Sequence, residues 1–496
     1  MSKNISAQQK INDEIFYGII PITKKNRLYN FRDTYLVTAG YGIATFCYVQ
    51  GATVGNMLGL PATILSTLGI ASLFGMLLCM CLVISTRYGV DLWYYLKTVF
   101  GHKGVNILML IAIACLWGYG CVNCDVYGNS VAKVINAAVG TNIEAGSLAQ
   151  QALAMTCILF GWLIAMRGPV AVKKATRFMV PLMLAVGVIM VIMVFSKYSI
   201  SELMAYRPEG GVQSGDLMSY ALVLEWTVAF IVAWIPGIGS LPRLCKDEKV
   251  SIWGNWLGTM VTMGVFICIG AVTSLAMQMA TGIYSDDPTD WLIYFGGSGL
   301  GLLSLIVVVF ANISTQILTA YVTAVSTKII NPKWNYKVIC TAWSIYSALF
   351  LATGLMVKFY TIFVSVVGVA CAPIIGIALI DFFILRKQKV SLDGLYQNRG
   401  SKVYNYTGGF NLVGVVCYFI GILSYVAVYN PLTASATSAI FSYTTATGLA
   451  LITSGVAYFL LSLIPSLRSY LLKDRDDPRL CFLNKVKRAK AAEAEQ

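Results

Sequence analysis

Residues 38–59 read TAGYGIATFCYVQGATVGNMLG, an apolar stretch with five glycines and few strong helix formers. A run this apolar belongs in a core or a bilayer, yet its glycines argue against a regular helix from end to end. Working outward, the chain carries twelve apolar runs of about 20 residues, the length that spans a hydrocarbon core. They lie near 34–58, 60–86, 106–137, 149–166, 178–196, 218–239, 252–280, 297–327, 338–356, 359–385, 410–429 and 445–467, and are numbered here as spans 1 to 12. Of the 496 residues 57% are hydrophobic and 12% charged, against about 25% charged in soluble domains. The composition implies an all-α polytopic membrane protein.

Charge sets the expected orientation, because Lys and Arg collect in cytoplasmic loops. With a cytoplasmic N-terminus and twelve spans, the inner segments hold 32 of the 36 basic residues; Lys133, Lys197, Arg207 and Lys358 fall outside. The formal charge of +14 therefore reads as an orientation signal, and nucleic acid is not an expected partner. Met1 to Asp33 is polar, without a cleavable leader pattern, so span 1 is expected to act as an uncleaved insertion signal. The thirteen cysteines sit mostly inside spans and read as small apolar residues. His102, the single histidine, lies in a cytoplasmic loop, which argues against a His-based triad or a zinc site. The expected organisation is a cytoplasmic segment (1–33), a core of spans 1–10 (34–385), spans 11 and 12 with their preceding loop (386–467), and a cytoplasmic tail (468–496).

The glycine-rich span 1 has a counterpart in span 6, where residues 230–243 read FIVAWIPGIGSLPR. Spans 1 and 6 begin the two halves of a five-plus-five arrangement. Transporters built from inverted repeats interrupt such helices near the bilayer midplane, where freed carbonyls bind a coupling ion. Span 8 adds a polar stretch, FANISTQILTAY (310–321). Helical spacing puts Ala311, Ser314 and Thr315 on one face, a carbonyl and two hydroxyls suited to a sodium ion. Ser and Thr in membrane helices also bond back to their own carbonyls. Asn312 is offset from that face and should bond a neighbouring helix, while Gln316 offers both a donor and an acceptor to a substrate. Trp117, mid-span, reads as a stacking wall or as packing. Asp125 reads as part of a structural pair with Lys133 or a solvated rim. Glu225, near the span 6 break, is open to a proton-relay or substrate role, since carboxyls at membrane depth face a cavity or a partner.

Residues 373–421 carry a Pro-x-x-Gly, then Asp381, Arg386, Leu395, Tyr396, Tyr406 and the run Gly408, Gly409, Phe410, Asn411. This pattern resembles the span 10–11 signature of the nucleobase:cation symporter-1 family, and similarity extends over roughly residues 30–470. The resemblance implies a leucine-transporter-type fold of five plus five inverted helices plus two. It also implies cation-coupled uptake of a planar heterocycle. It places sodium at Gly40, Ile43, Ala311, Ser314 and Thr315. Substrate contacts fall at Trp117, Gln316 and Phe230, with Trp234 as the alternative to Phe230, and Ala44, Thr45 and Glu225 complete the candidate set. Cys121 stands where some members have an amide, Ala320 where they have Asn, and Ser240 where span 6 ordinarily ends in Asp. Cytosine, purines, hydantoins, allantoin and vitamin-like heterocycles all stay open as substrates. The expectation is a permease and not an enzyme, without cofactor beyond the sodium ion, working as a monomer in the plasma membrane with both termini cytoplasmic. The alternatives are an amino-acid/cation symporter of the same fold and a proton-coupled permease for a vitamin-like heterocycle.

Overall fold

A computed structural model describes residues 21–208, 217–396 and 403–476; the ends of the expected N-terminal segment and tail, and parts of the 197–217 and 386–402 loops, lie outside them. Among the described residues eight helices are long and apolar enough to cross a membrane. They are Leu60–Tyr88, Leu92–Val139, Leu148–Ala165, Pro169–Phe195, Leu217–Ile238, Glu248–Thr281, Gly299–Thr327 and Ile362–Leu385, matching spans 2–8 and 10. Shorter apolar helices at Tyr336–Ala352 and Leu412–Val428 fill spans 9 and 11. Span 1 is split into Phe31–Gly42 and Thr45–Leu58. Span 12 is the helix Ala446–Ser462, which ends earlier than its apolar run. The chain bends by 109° there into Pro465–Leu471, because Pro465 cannot continue a helix but suits the first turn of a new one. Each of the twelve apolar runs thus has a helical counterpart.

Packing divides these helices into groups. Span 1 lies along span 7, and span 8 along spans 3, 4, 5 and 9, while span 6 packs against span 10. Glycine makes the first contact possible: a Cβ on Gly51 would sit 1.9 Å from the Ile267 carbonyl oxygen. Small residues permit this backbone approach where lipid offers no hydrophobic drive for association.

The span 10–11 signature builds a clasp at the end of the molecule that carries the basic loops. Asp381 accepts hydrogen bonds from the Tyr95 hydroxyl at 2.6 Å, the Tyr458 hydroxyl at 2.9 Å and Arg386 Nε at 2.7 Å. Arg386 pairs in turn with Asp474. The Tyr406 hydroxyl donates to the Thr98 carbonyl at 2.6 Å, and Asn411 N–H to the Phe100 carbonyl at 3.0 Å. Gly409 lies so close to Gly101 that a Cβ there would come within 2.4 Å of its carbonyl oxygen, and Gly101 has φ +77° besides. The motif binds the first turns of the span 3 helix to the end of span 10 and the start of span 11, a structural role.

Candidate ion and substrate site

Span 1 breaks at Ile43–Ala44, where Ala44 adopts an extended conformation (φ −68°, ψ 154°). Ala44 N–H, which would have bonded the Gly40 carbonyl in a continuous helix, turns to the Tyr41 carbonyl at 3.4 Å. The released Gly40 oxygen is met by span 8: the Thr315 hydroxyl donates to it at 2.9 Å and lies 3.5 Å from the Ala311 carbonyl. The Ser314 hydroxyl faces the same junction, 3.5 Å from where a Gly40 Cβ would stand, and is buried without a hydrogen-bond partner in the protein. Gly40, Ala311, Ser314 and Thr315 therefore converge, with Ile43 at the break itself. An orphaned hydroxyl beside freed carbonyls fits a small hard cation.

Beyond the break, the Thr45 hydroxyl opens the second half of span 1 and lies 3.0 Å from Asn123 Oδ1 and 2.7 Å from Asn312 Oδ1. One hydroxyl proton cannot serve two oxygens, and Asn123 Oδ1 also accepts the Phe46 N–H at 3.3 Å. The amide nitrogens of both asparagines are buried without a protein partner. Asn312 thus turns to a neighbouring helix, and that helix is span 1.

An aromatic cluster stands against this polar knot. Phe46 stacks on Trp234 at 4.9 Å and 22°, and Tyr119 lies 5.1 Å from Trp234 and 5.5 Å from Phe230 at 89°. Phe363 of span 10 covers Tyr119 edge-on at 4.9 Å. The Tyr119 hydroxyl and the Trp234 indole N–H are buried and unpartnered. Span 6 presents Phe230 and Trp234 through a tight turn at Ala233–Trp234 before the short helix Ile235–Ile238. Pro236 has no N–H to return to Val232, which localises the turn.

The structure places several expected residues elsewhere. Trp117 stacks on Trp343 of span 9 at 6.4 Å and 18°. Gln316 donates to Cys124 Sγ at 3.0 Å and wedges between Gly120 and Gly161. Trp117 and Gln316 do meet, at Gly120, but on the side of span 3 that faces spans 4 and 9. The reason is helical phase: residues two apart point about 200° apart, so Tyr119 and Asn123 face the cluster while Trp117 and Cys121 face away. Glu225 leaves the site altogether. Its carboxylate accepts from the Thr447 N–H at 2.9 Å and the Thr447 hydroxyl at 2.6 Å, anchoring the first turn of span 12. Tyr119, Asn123 and Phe46 were missed by sequence reasoning; an aromatic one turn before an amide on span 3 was the available signal.

A cavity of about 430 Å³ opens above the cluster at the end opposite the basic loops, lined among others by Val49, Cys121, Val122, Asp125, Asp286 and Tyr360. Cys121 thus reaches the cavity wall. The Tyr360 hydroxyl donates to Gln50 Oε1 at 3.1 Å, joining spans 10 and 1 between cavity and cluster. Asp125 accepts from Gln150 at 3.1 Å, and Lys133 pairs instead with Asp290 at 2.5 Å and Asp287 at 3.7 Å. On that outer loop burial pushes the Asp287 carboxyl up, against the pull of Lys133.

The family profile for permeases of cytosine/purines, uracil, thiamine and allantoin matches residues 21–451. This chain belongs to that family. Its relatives are permeases and not enzymes. The purine-uracil permease NCS1 of Arabidopsis thaliana is 22% identical over 373 residues, 68% of this chain and 58% of the relative. The allantoin permease of Bacillus subtilis (strain 168) is 26% identical over 203 residues, 40% of this chain and 41% of the relative. The chain therefore matches less than two thirds of the length of either. Among solved structures, Mhp1, a nucleobase-cation-symport-1 family transporter in a closed conformation with bromovinylhydantoin bound, aligns with a TM-score of 0.74 at 17% identity. That alignment covers 92% of this chain and 96% of Mhp1. A Na+-coupled sialic acid symporter aligns at 0.59 and 13% identity, covering 92% and 93%. The chain has the leucine-transporter-type fold that these neighbours share, in a permease family of multi-pass membrane proteins.

Proposed function

We propose that this chain is a secondary active transporter that couples the entry of a cation, sodium by the character of its oxygen set, to uptake of a nucleobase or related planar heterocycle by alternating access. The observation that carries the reading is the junction of spans 1 and 8, where the Gly40 carbonyl leaves its own helix for Thr315 while Ser314 stands buried and unpartnered beside it. Gly40, Ile43, Ala311, Ser314 and Thr315 would hold the ion, which supplies the positive charge that binds these oxygens together across two helices. The substrate lies against Trp234 and Tyr119, with Phe230 and Phe46 as flanking rings. The amide nitrogens of Asn123 and Asn312 supply donors for its acceptor edge. The Phe46 N–H orients the Asn123 amide and the Thr45 hydroxyl, at the shorter distance, the Asn312 amide, while Ala44 provides the extended backbone that makes room for them. Tyr119 and Asn123 take the roles expected of Trp117 and Cys121; Gln316 supports span 3 from behind.

The names of the relatives support a heterocycle: purines and uracil for the Arabidopsis thaliana permease, allantoin for the Bacillus subtilis one. The charge asymmetry supports cytoplasmic termini, and the reading places the chain in a plasma membrane. The reading takes the working unit as a monomer. A thermal-shift panel of nucleobases, hydantoins, vitamins and amino acids, with and without sodium, tests the reading. Ligand at a hundred times Kd stabilises by about 2.7 kcal/mol. The expected hit is a planar heterocycle whose stabilisation deepens with sodium. Hits confined to amino acids would overturn the substrate, and uptake indifferent to sodium but driven by a pH gradient would move the coupling to protons.

A further inference from the structure

A cavity opens at one end of the molecule, and at the other spans 3, 6 and 8 converge on one carboxylate that the site above does not use. Asp91, 3% exposed, stands at the start of span 3. Its two oxygens divide their work. Oδ1 accepts the Trp93 N–H at 2.9 Å and caps span 3. Oδ2 accepts from the Ser240 hydroxyl at the exit of span 6 and from the Ser326 hydroxyl near the end of span 8 at 3.2 Å. The two hydroxyls lie 2.7 Å apart and both residues are buried. Around this knot the Leu92 N–H and the Ser85 hydroxyl each donate to the Gly239 carbonyl at 3.3 Å, and the Thr86 hydroxyl to the Pro242 carbonyl at 3.0 Å. The guanidinium of Arg243, itself buried, lies within electrostatic reach of the carboxylate.

Two physical points give the knot a role. Spans 3 and 8 pack along each other, whereas the long part of span 6 lies along span 10 and reaches spans 3 and 8 through its short terminal helix Ile235–Ile238. A buried carboxylate is held by hydrogen bonds or released to water, with little stability in between. We infer that Asp91 is the latch of the inner gate: Ser240 and Ser326 hold spans 6 and 8 to it while the cavity faces outward, and inward opening requires both hydroxyls to let go so that water can take their place. Asp91 brings a negative charge from span 3 to the exit of span 6. Asp91 is a positioning residue; it touches neither ion nor substrate. The inference rests on the transport reading above, but its test needs no substrate.

Reconstituted full-length protein carries a reporter cysteine either at Thr323, buried on span 8 one turn from Ser326 toward the centre, or at Val126, on the wall of the outer cavity. Each is labelled with a membrane-impermeant maleimide from its own side, with the reporter-free protein as background. Replacing Ser240 and Ser326 together by Ala leaves the span 3 cap intact and strips Oδ2 of both donors. Labelling at 323 should then rise roughly tenfold, the scale of charge-assisted hydrogen bonds lost, while labelling at 126 falls. Ser240→Thr keeps the hydroxyl and should leave both rates native. Unchanged rates in the double variant, or a rise at both reporters together as loosened packing would give, overturn the latch. A failed transport reading shows separately, as native protein that takes up no heterocycle in the panel.

Discussion

The two interrupted helices occupy corresponding places in the two halves of the fold, yet they are built from opposite chemistry. The span 1 break is polar. An extended residue frees the Gly40 carbonyl, a hydroxyl from span 8 meets it, and Thr45 gathers two asparagines on the other side. The span 6 break is aromatic. Its turn is tight, Trp234 within it keeps near-helical angles (φ −86°, ψ 0°), and Phe230 and Trp234 face Phe46 and Tyr119 across it. An exposed carbonyl needs a charge or a donor, and a turned helix with a proline offers a position from which rings can be aimed. Under the proposed function, the pair would give the ion to one repeat and the flat face of the ligand to the other.

The harshest way to break this comparison is to make span 6 resemble an uninterrupted helix. Pro236→Ala combined with Gly237→Ala restores a backbone donor, and the new Cβ at 237 would come 3.0 Å from the Trp234 ring. Uptake should fall on the order of a hundredfold, about 2.7 kcal/mol, with membrane insertion unaffected; full activity would mean that the turn does not position Trp234. On the span 1 side, Thr315→Ala removes the hydroxyl that holds Gly40. The sodium concentration for half-maximal uptake should rise at least tenfold, about 1.4 kcal/mol, while the heterocycle binds normally at saturating sodium. A variant that lost both together would erase the division between the two breaks.

Span 3 sharpens the comparison by a smaller margin. Tyr119→Ala and Asn123→Ala should each weaken substrate binding about tenfold, within the roughly 1–3 kcal/mol of a base-stacking contact, and Trp117→Ala much less. Titration of the purified variants by calorimetry decides it; the reverse order would put the substrate on the Trp343 side of span 3. The smallest functional effect belongs to Glu225→Ala. It leaves the buried Thr447 N–H without its acceptor and should lower stability by about 1–3 kcal/mol, read in a melting curve, with uptake per folded molecule and its sodium dependence unchanged.

Much of this was legible beforehand. Ala311, Ser314 and Thr315 share a face by spacing alone, and the glycines of 38–59 mark a helix that cannot run straight. Span 3 was legible only in part. Trp117 and Tyr119 are both mid-span aromatics, and a helix apolar all round gives no moment by which to choose between them. Glu225 misled for a related reason. A carboxyl at membrane depth must find a partner, but the sequence does not say whether that partner is a substrate or the first turn of a helix 222 residues further along.

By itself, then, the sequence determined what is periodic and local: the apolar spans, the two weak helices, and the oxygen-bearing face of span 8. Burial of backbone without water forces the spans to be helical, and glycine content and the helical period settle the rest in any arrangement of the chain. Only the tertiary structure decided which face of span 3 meets the aromatic cluster of spans 1 and 6, that Glu225 serves span 12, and that Asp91 gathers hydroxyls from positions 240 and 326. Those are contacts between helices distant in the chain. They are set by how each helix is rotated against its neighbours, a quantity that side-chain packing fixes and residue order alone does not.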